Sequence, residues 1–97
     1  MELNEIKNEL HLISEDLSSK TNPIECYLFG SILTNPKQAN DIDILIIYTA
    51  QQQISILKES FNNLTNKYPL HLIFFTPFEE REFNFIKEQR AEKVFSL

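Results

Sequence analysis

A serine directly after a glycine, and two aspartates that begin ten residues later, are the residues of this chain best suited to chemistry. Gly30 is the only glycine, Ser31 follows it, and Asp41 and Asp43 flank Ile42. A glycine lets backbone come close to a bound group, and a neighbouring serine can cap a helix and donate a hydrogen bond to a phosphate oxygen. Two carboxylates two residues apart on a strand share a face, as a divalent-metal site requires. The spacing predicts a phosphate site beside a metal site.

The elements that position these residues follow from the apolar pattern. Leucines and isoleucines at helical spacing predict an amphipathic helix over about 3–19. A short buried strand over 24–29 then leads to Gly30, and 31–33 forms a helical turn before a polar loop. The β-branched run 42–48 is typical of a central strand covered on both faces, with Asp43 as the polar exception.

The second half of the chain continues the alternation of helix and strand. Apolar residues at helical spacing predict a long helix around 54–64, and a third strand follows at about 70–75. Thr76-Pro77-Phe78-Glu79 has a capping-box pattern, which predicts a final helix through about Phe95. The predicted order is α-β-(turn)-β-α-β-α within one domain spanning 1–97. This pattern indicates an α/β (α+β) fold, a small mixed sheet flanked by helices.

Composition excludes several classes of protein. A net charge of −5 and a pI near 4.9 argue against direct nucleic-acid binding, which needs clustered Lys and Arg. The lone Cys26 lies in an apolar run, which predicts a buried, reduced thiol and a cytoplasmic protein. The chain has no apolar run of about 18 residues and an acidic rather than basic start, so neither export nor a membrane location is expected.

Asp43 within a central strand needs a compensating partner, because a bare carboxylate is costly to bury. No lysine or arginine near Asp43 in the sequence offers such a partner, apart from Lys37 in the preceding loop. A bound Mg²⁺ is therefore a good candidate. Asp-x-Asp alone also fits a purely structural interpretation, in which Asp41 caps a turn and Asp43 accepts hydrogen bonds from backbone amides. The Gly-Ser turn after a neighbouring strand favours the metal site.

These residues together resemble the DNA polymerase beta-like nucleotidyltransferase superfamily, and within it the minimal nucleotidyltransferases. The resemblance rests on Leu28-Phe29-Gly30-Ser31 and, after nine residues, Asp41-Ile42-Asp43-Ile44-Leu45-Ile46. It implies that Gly30 and Ser31 hold the phosphates of ATP or another nucleoside triphosphate. It also implies that Asp41 and Asp43 are catalytic and bind Mg²⁺ ions, which position the α-phosphate and stabilise the pyrophosphate leaving group.

The family pattern places a third carboxylate on the next strand, where this chain has Leu70-His71-Leu72-Ile73. His71 could ligate a metal or act as a general base, although Mg²⁺ prefers oxygen ligands. It could equally be a strand-start histidine that hydrogen-bonds backbone or water. Glu79, Glu80 and Glu82 are alternative acids, but their position favours a solvated helix start that complements the helix dipole.

Two functions from different classes therefore stand side by side. The first is Mg²⁺-dependent transfer of a nucleoside monophosphate, AMP from ATP, to a hydroxyl of a partner protein or small molecule. The second is a catalytically weakened or inactive binding module that acts as the antitoxin of a toxin-antitoxin pair; the resemblance implies a small HEPN-type toxin as its partner. Six of eight phenylalanines lie between Phe74 and Phe95, which predicts an exposed apolar patch and an interface with a partner or a second copy.

Overall fold

The computed structural model describes all 97 residues and contains six α-helices, one 3-10 turn and four strands. The helices are α1 (Leu3–Ser18), α2 (Ser31–Thr34), α3 (Gln53–Ser60), α4 (Asn62–Lys67), α5 (Pro77–Phe83) and α6 (Phe85–Glu88). The strands are β1 (Glu25–Phe29), β2 (Ile42–Ile47), β3 (Leu70–Phe75) and β4 (Glu92–Ser96), and the 3-10 turn spans Pro36–Gln38. No helix of the chain has the length and apolar character needed to cross a membrane.

The four strands form one mixed sheet in the order β3-β2-β1-β4. β2 runs parallel to β3, whereas β1 is antiparallel to both of its neighbours. β1, which precedes Gly30, and β2, which carries Asp43, are therefore the central strands, and His71 lies on the edge strand β3. The predicted mixed sheet flanked by helices is confirmed. The sheet leaves β3 and β4 at its edges.

The two faces of the sheet carry separate apolar clusters, because successive strand residues point to opposite sides. The large-core face is covered by α1, α3 and α4, and its cluster has 16 buried residues; its strand members are Cys26, Leu28, Ile42, Ile44, Ile46 and Phe95. The small-core face has only four buried residues, Tyr27, Phe29, Leu45 and Ile47. Residues from β3, from α6 and from the segment after it pack against this smaller cluster.

Most of the predicted elements are confirmed. The first helix, the three predicted strands and the helical turn after Gly30 lie within a residue or two of their predicted positions. α1 buries Ile6, Leu10, Ile13 and Leu17, the stripe that predicted it. The long second helix is instead two consecutive helices, α3 and α4, which meet at Phe61 (φ −86°, ψ −4°). Cys26 is fully buried, as predicted.

The predicted final helix through Phe95 is wrong beyond Glu88, and the predicted element order lacks the last strand. Asn84 adopts a left-handed conformation that separates α5 from α6, and Arg90 adopts another two residues after α6 ends. β4 then pairs with the outer edge of β1, where Phe95 opposes Cys26 and joins the large core. A free edge of β1 would leave backbone N–H and C=O groups unpaired. The paired residues Leu28 and Glu92 are 92 − 28 = 64 residues apart, so the local sequence, which contains helix-forming residues such as Glu88 and Lys93, does not reveal the pairing.

Candidate active site

The turn after β1 brings Gly30 against Asp43. Phe29, the last residue of β1, pairs with Asp43, so the next residue passes directly over that carboxylate. Gly30 has φ +78°, and a Cβ built on it would overlap Oδ2 of Asp43. Residues with a side chain rarely adopt this conformation, and a Cβ here would also force the Asp43 carboxylate to move, so glycine suits this point for two reasons.

Asp43 contacts His71 on the neighbouring strand. The parallel register of β2 and β3 pairs the two residues, and the Nδ1 atom of His71 lies 3.1 Å from Oδ1 of Asp43. The Asp43 side chain is 18% exposed and that of His71 is 61% exposed. The carboxylate therefore has one oxygen toward the imidazole and the other beside Gly30, and its position on the small-core face leaves it open to solvent.

Asp41 does not join this group. It precedes β2, is exposed, and makes no side-chain hydrogen bond or ion pair. No set of three or more His, Cys, Asp or Glu side chains is arranged to hold a metal ion. Asp41 lies one residue before β2, so only Asp43 is on the strand itself. The donor types nevertheless fit a hard divalent cation, since carboxylate oxygens are the ligands that Mg²⁺ takes.

Ser31 is exposed and is the first residue of α2, while Gly30 occupies the capping position. The predicted capping bond from the serine side chain is absent, so its hydroxyl is free to donate elsewhere. Beside the turn lies a cavity of about 330 Å³ lined by Gly30, Ser31, Leu33, Thr34, Gln89 and Arg90. Gln89 and Arg90 were not among the predicted site residues, because the predicted final helix ran through them, whereas α6 ends at Glu88.

The acidic residues after β3 take structural roles. Thr76 and Glu79 form the predicted capping box: the Thr76 hydroxyl accepts from the Glu79 amide at 3.2 Å, and Glu79 Oε1 accepts from the Thr76 amide at 2.9 Å. Glu80 accepts a hydrogen bond from the backbone N–H of Ile86 at 3.1 Å and so bridges α5 and α6. Glu82 borders a shallow exposed surface with Phe78 and Phe83. None of them approaches Asp43, so the helix-start interpretation agrees with their positions.

The thiol of Cys26, the only cysteine, is not suited to act as a nucleophile or a metal ligand. Cys26 is fully enclosed on the large-core face, and burial raises the pKa of its thiol far above the usual range. A buried thiol with a raised pKa does not form the reactive thiolate. The candidate site is therefore the group of Gly30, Asp43 and His71, with Ser31 and the adjoining cavity on one side and Asp41 on the approach to β2.

A comparison with protein families supports the resemblance drawn from the motif. The family model described as "Polymerase beta, Nucleotidyltransferase" matches residues 11–94. This range contains every candidate residue and all four strands except the last two residues of β4. No curated protein and no solved structure gives a match to the chain.

Proposed function

Because the chain belongs to the polymerase beta nucleotidyltransferase family, whose members generally use a nucleoside triphosphate and a divalent metal, we propose that it transfers AMP from ATP to a hydroxyl. The acceptor is a partner protein or a small molecule, the metal is Mg²⁺, and the setting is the cytoplasm. One observation carries the proposal: the close approach of Gly30 to Asp43, with His71 on the other oxygen of the same carboxylate. Because Gly30 has no side chain, a phosphate oxygen can approach the backbone beside this carboxylate.

The proposed roles follow from the positions of the side chains. Gly30 and Ser31 bind phosphate oxygens, because the missing Cβ permits close approach and the free hydroxyl can donate. Asp41 and Asp43 are the residues that would hold Mg²⁺. When bound, Mg²⁺ supplies positive charge that offsets the negative charge developing on the phosphates. Asp43 has an oxygen free of the imidazole for this role.

His71 is the proposed general base. With Nδ1 protonated and donating to Asp43 Oδ1, its exposed Nε2 carries a lone pair that can accept a proton. In the reaction, the acceptor oxygen bonds to the α-phosphorus while the bond to the bridging oxygen breaks, so pyrophosphate leaves. The hydroxyl proton passes to Nε2. Asp43 thus positions the base as well as contributing to the metal site.

The direct test uses ATP labelled on the α-phosphate, Mg²⁺ and the product of the neighbouring gene as acceptor. We expect Asp43→Asn to reduce labelling by about 100-fold or more, because a metal-bound transition state loses several kcal/mol of charge stabilisation. Asp16→Asn on α1 is the matched control, since Asp16 is an exposed aspartate on the opposite side of the sheet. Equal labelling by wild type and Asp43→Asn would contradict the proposal.

A second function, an antitoxin that acts by binding, is favoured by two specific observations. His71 provides a neutral ligand where the family pattern has an acid, and Phe78 and Phe83 on α5 are 63% and 61% exposed. An exposed aromatic pair suits docking onto a partner protein. If the chain works only by binding, Asp43→Asn will neutralise a co-expressed toxin as well as wild type, whereas Phe83→Ser will not. The opposite pattern would support the enzyme.

Substitutions at His71 test whether this residue occupies the position of the third metal-binding carboxylate. His71→Asp restores the third carboxylate, and His71→Asn is its neutral control of the same shape. If His71 occupies the metal position, the aspartate variant should bind Mg²⁺ about tenfold more tightly than the asparagine variant, as about 1.4 kcal/mol of added attraction implies. Identical Mg²⁺ titrations of the two variants would show that His71 does not face the metal.

A further inference from the structure

Arg90 is the one positively charged residue in the cavity beside the Gly30–Ser31 turn. Its guanidinium forms no ion pair with any carboxylate, although the chain has 14 acidic residues and nine basic ones. Building on the proposed function, we propose that Arg90 binds the β- and γ-phosphates of the nucleotide and so selects triphosphates over monophosphates. This assigns a specificity-determining residue that the motif does not contain.

The sheet places Arg90 opposite the turn. Leu28 pairs with Glu92 in the antiparallel register of β1 and β4. Gly30 lies two residues after Leu28 and Arg90 two residues before Glu92, so both leave the paired strands at the same end of the sheet. The shared cavity agrees with this placement. The pairing of β4 with β1 therefore brings Arg90 to the cavity beside the turn.

The backbone holds Arg90 in an unfavourable conformation. Its φ is +51°, a left-handed value that glycine adopts readily and a branched or long residue adopts at a cost. The other non-glycine residue with a positive φ is Asn84, whose short polar side chain makes this region less costly. Hydrogen bonds from the amides of Arg90 and Ala91 to the carbonyls of Lys87 and Ile86, at 3.2 and 2.9 Å, keep the turn in place. A strained arginine at a cavity points to a role for its side chain.

The chemistry of the cavity suits a polyphosphate chain. A guanidinium can form paired hydrogen bonds to phosphate oxygens, and the amide of Gln89 and the hydroxyls of Ser31 and Thr34 supply further donors. A volume of about 330 Å³ equals about eleven water molecules at about 30 Å³ each, enough for two phosphate groups. No carboxylate lines this cavity.

Gly30 connects the cavity to Asp43. It lines the cavity and also lies against the Asp43 carboxylate. A nucleotide with its α-phosphate near Asp43 can therefore extend its remaining phosphates past Gly30 toward Arg90. A monophosphate has no group to reach that position, so Arg90 contributes to triphosphate binding alone. The cation also offsets the repulsion between a triphosphate and a chain of charge −5.

The test compares the dissociation constants of α,β-methylene ATP and AMP, each with Mg²⁺, for wild type, Arg90→Gln and Arg81→Gln. Arg81 is an exposed arginine on α5 that lines none of the cavities, so it is the matched control. Partial unfolding of a variant raises the apparent dissociation constants of both ligands by the same factor, so the ratio of the two constants does not change. We expect Arg90→Gln to weaken the ATP analogue by about tenfold relative to AMP, and Arg81→Gln to leave the ratio unchanged.

An unchanged ratio in Arg90→Gln, with the analogue still bound by wild type, overturns the role of Arg90 and leaves the proposed transfer intact. Absence of binding to wild type overturns both. Arg90→Gly supplies a second check, because it removes the side chain while relieving the backbone. It should melt no lower than wild type and show the same loss of selectivity for the triphosphate. A wild-type ratio in Arg90→Gly would also overturn the inference.

Discussion

The two faces of the sheet are built from the same strands but bury different numbers of apolar residues. On the large-core face, three helices cover a cluster of 16 buried residues. On the small-core face, the short helices α5 and α6 lie near a cluster of four, and two of their aromatic residues remain exposed. Asp43 and His71 belong to this thinner side. Most of the buried apolar contacts therefore lie on one face of the sheet, and on the other face the side chains of Asp43 and His71 remain partly exposed to solvent.

Strand alternation makes this division possible. Within β2, Ile42, Ile44 and Ile46 enter the large core, while Leu45 and Ile47 enter the small one. Asp43 falls in the second set, so it interrupts the apolar surface only where packing is already thin. A shift of one residue would bury the carboxylate under α1 and α3. The location of the site thus follows from which face can tolerate a charge.

The largest expected effect comes from a pair of phenylalanines on the two sides. Phe61, between α3 and α4, is 1% exposed, whereas Phe83 on α5 is 61% exposed and stacks on Phe75 with ring centres 5.2 Å apart. We expect Phe61→Ala to lower the free energy of unfolding by about 3–5 kcal/mol and Phe83→Ala by about 1 kcal/mol or less. Urea denaturation measures both. Equal losses would mean that the small-core face carries as much stability as the large one.

Gly30→Ala should show the next largest effect. The methyl group would meet Asp43, and the backbone would be held at a φ that alanine avoids, at a cost of about 1–3 kcal/mol. Ser31→Ala, at the adjacent exposed position, is the control and should change stability by about 0.5 kcal/mol or less. Thermal unfolding and the α-phosphate labelling assay should both detect the Gly30 change. Wild-type stability of Gly30→Ala would show that the close approach to Asp43 is not obligatory.

The capping box of α5 should give an intermediate effect. This helix has no buried residue, so its start depends on Thr76 and Glu79 more than on packing. We expect Thr76→Ala to cost about 1 kcal/mol. Thr65→Ala on α4 removes only a hydroxyl that bonds the Phe61 carbonyl within a helix, and should cost less. If both variants unfold at the same denaturant concentration, the cap does not stabilise the covering of the small-core face.

The smallest effect is a pH dependence on the same face. The Tyr27 hydroxyl donates a hydrogen bond to Glu25, and Lys93 pairs with the same carboxylate at 3.3 Å; together they lower the pKa of Glu25. Because the folded pKa lies below the ordinary value of 4.5, this contribution is present above that pH and is lost as the pH falls through the lowered pKa. Wild type should therefore lose more stability between pH 7 and pH 3 than Glu25→Gln.

Glu15→Gln is the control for this titration, since Glu15 is exposed and lies outside every ion pair. It should follow the wild-type pH profile. Parallel profiles for wild type and Glu25→Gln would indicate that the Tyr27 hydrogen bond does not favour the ionised carboxylate in the folded chain.

Local patterns were enough to predict much of the fold and the centre of the site. Period-3.6 and period-2 spacing located α1, β1, β2 and β3, because the residues that bury an amphipathic element lie close together in sequence. Gly30, Ser31, Asp41 and Asp43 were identified by type and spacing alone. The capping box of α5 was also predicted, because its two hydrogen bonds join residues only three positions apart, Thr76 and Glu79.

Two features of the structure depend on residues far apart in the chain. β4 pairs with β1 and places Phe95 in the large core, and the residues around 92–96 do not by themselves reveal this pairing. The contact between Asp43 and His71, which are 28 residues apart in the chain, depends on the register of β2 and β3. The separation of Asp41 from that pair depends on where β2 begins.

Side-chain type and short-range spacing were enough to indicate the family, most of the alternating elements and the candidate residues Gly30, Ser31, Asp41 and Asp43. Long-range strand pairing was needed to place Asp43 between Gly30 and His71 and to bring Arg90 to the cavity beside the Gly30–Ser31 turn. The physical reason is that strand pairing is a long-range choice. The backbone groups that drive it are the same in every residue, so they leave no local trace in the sequence.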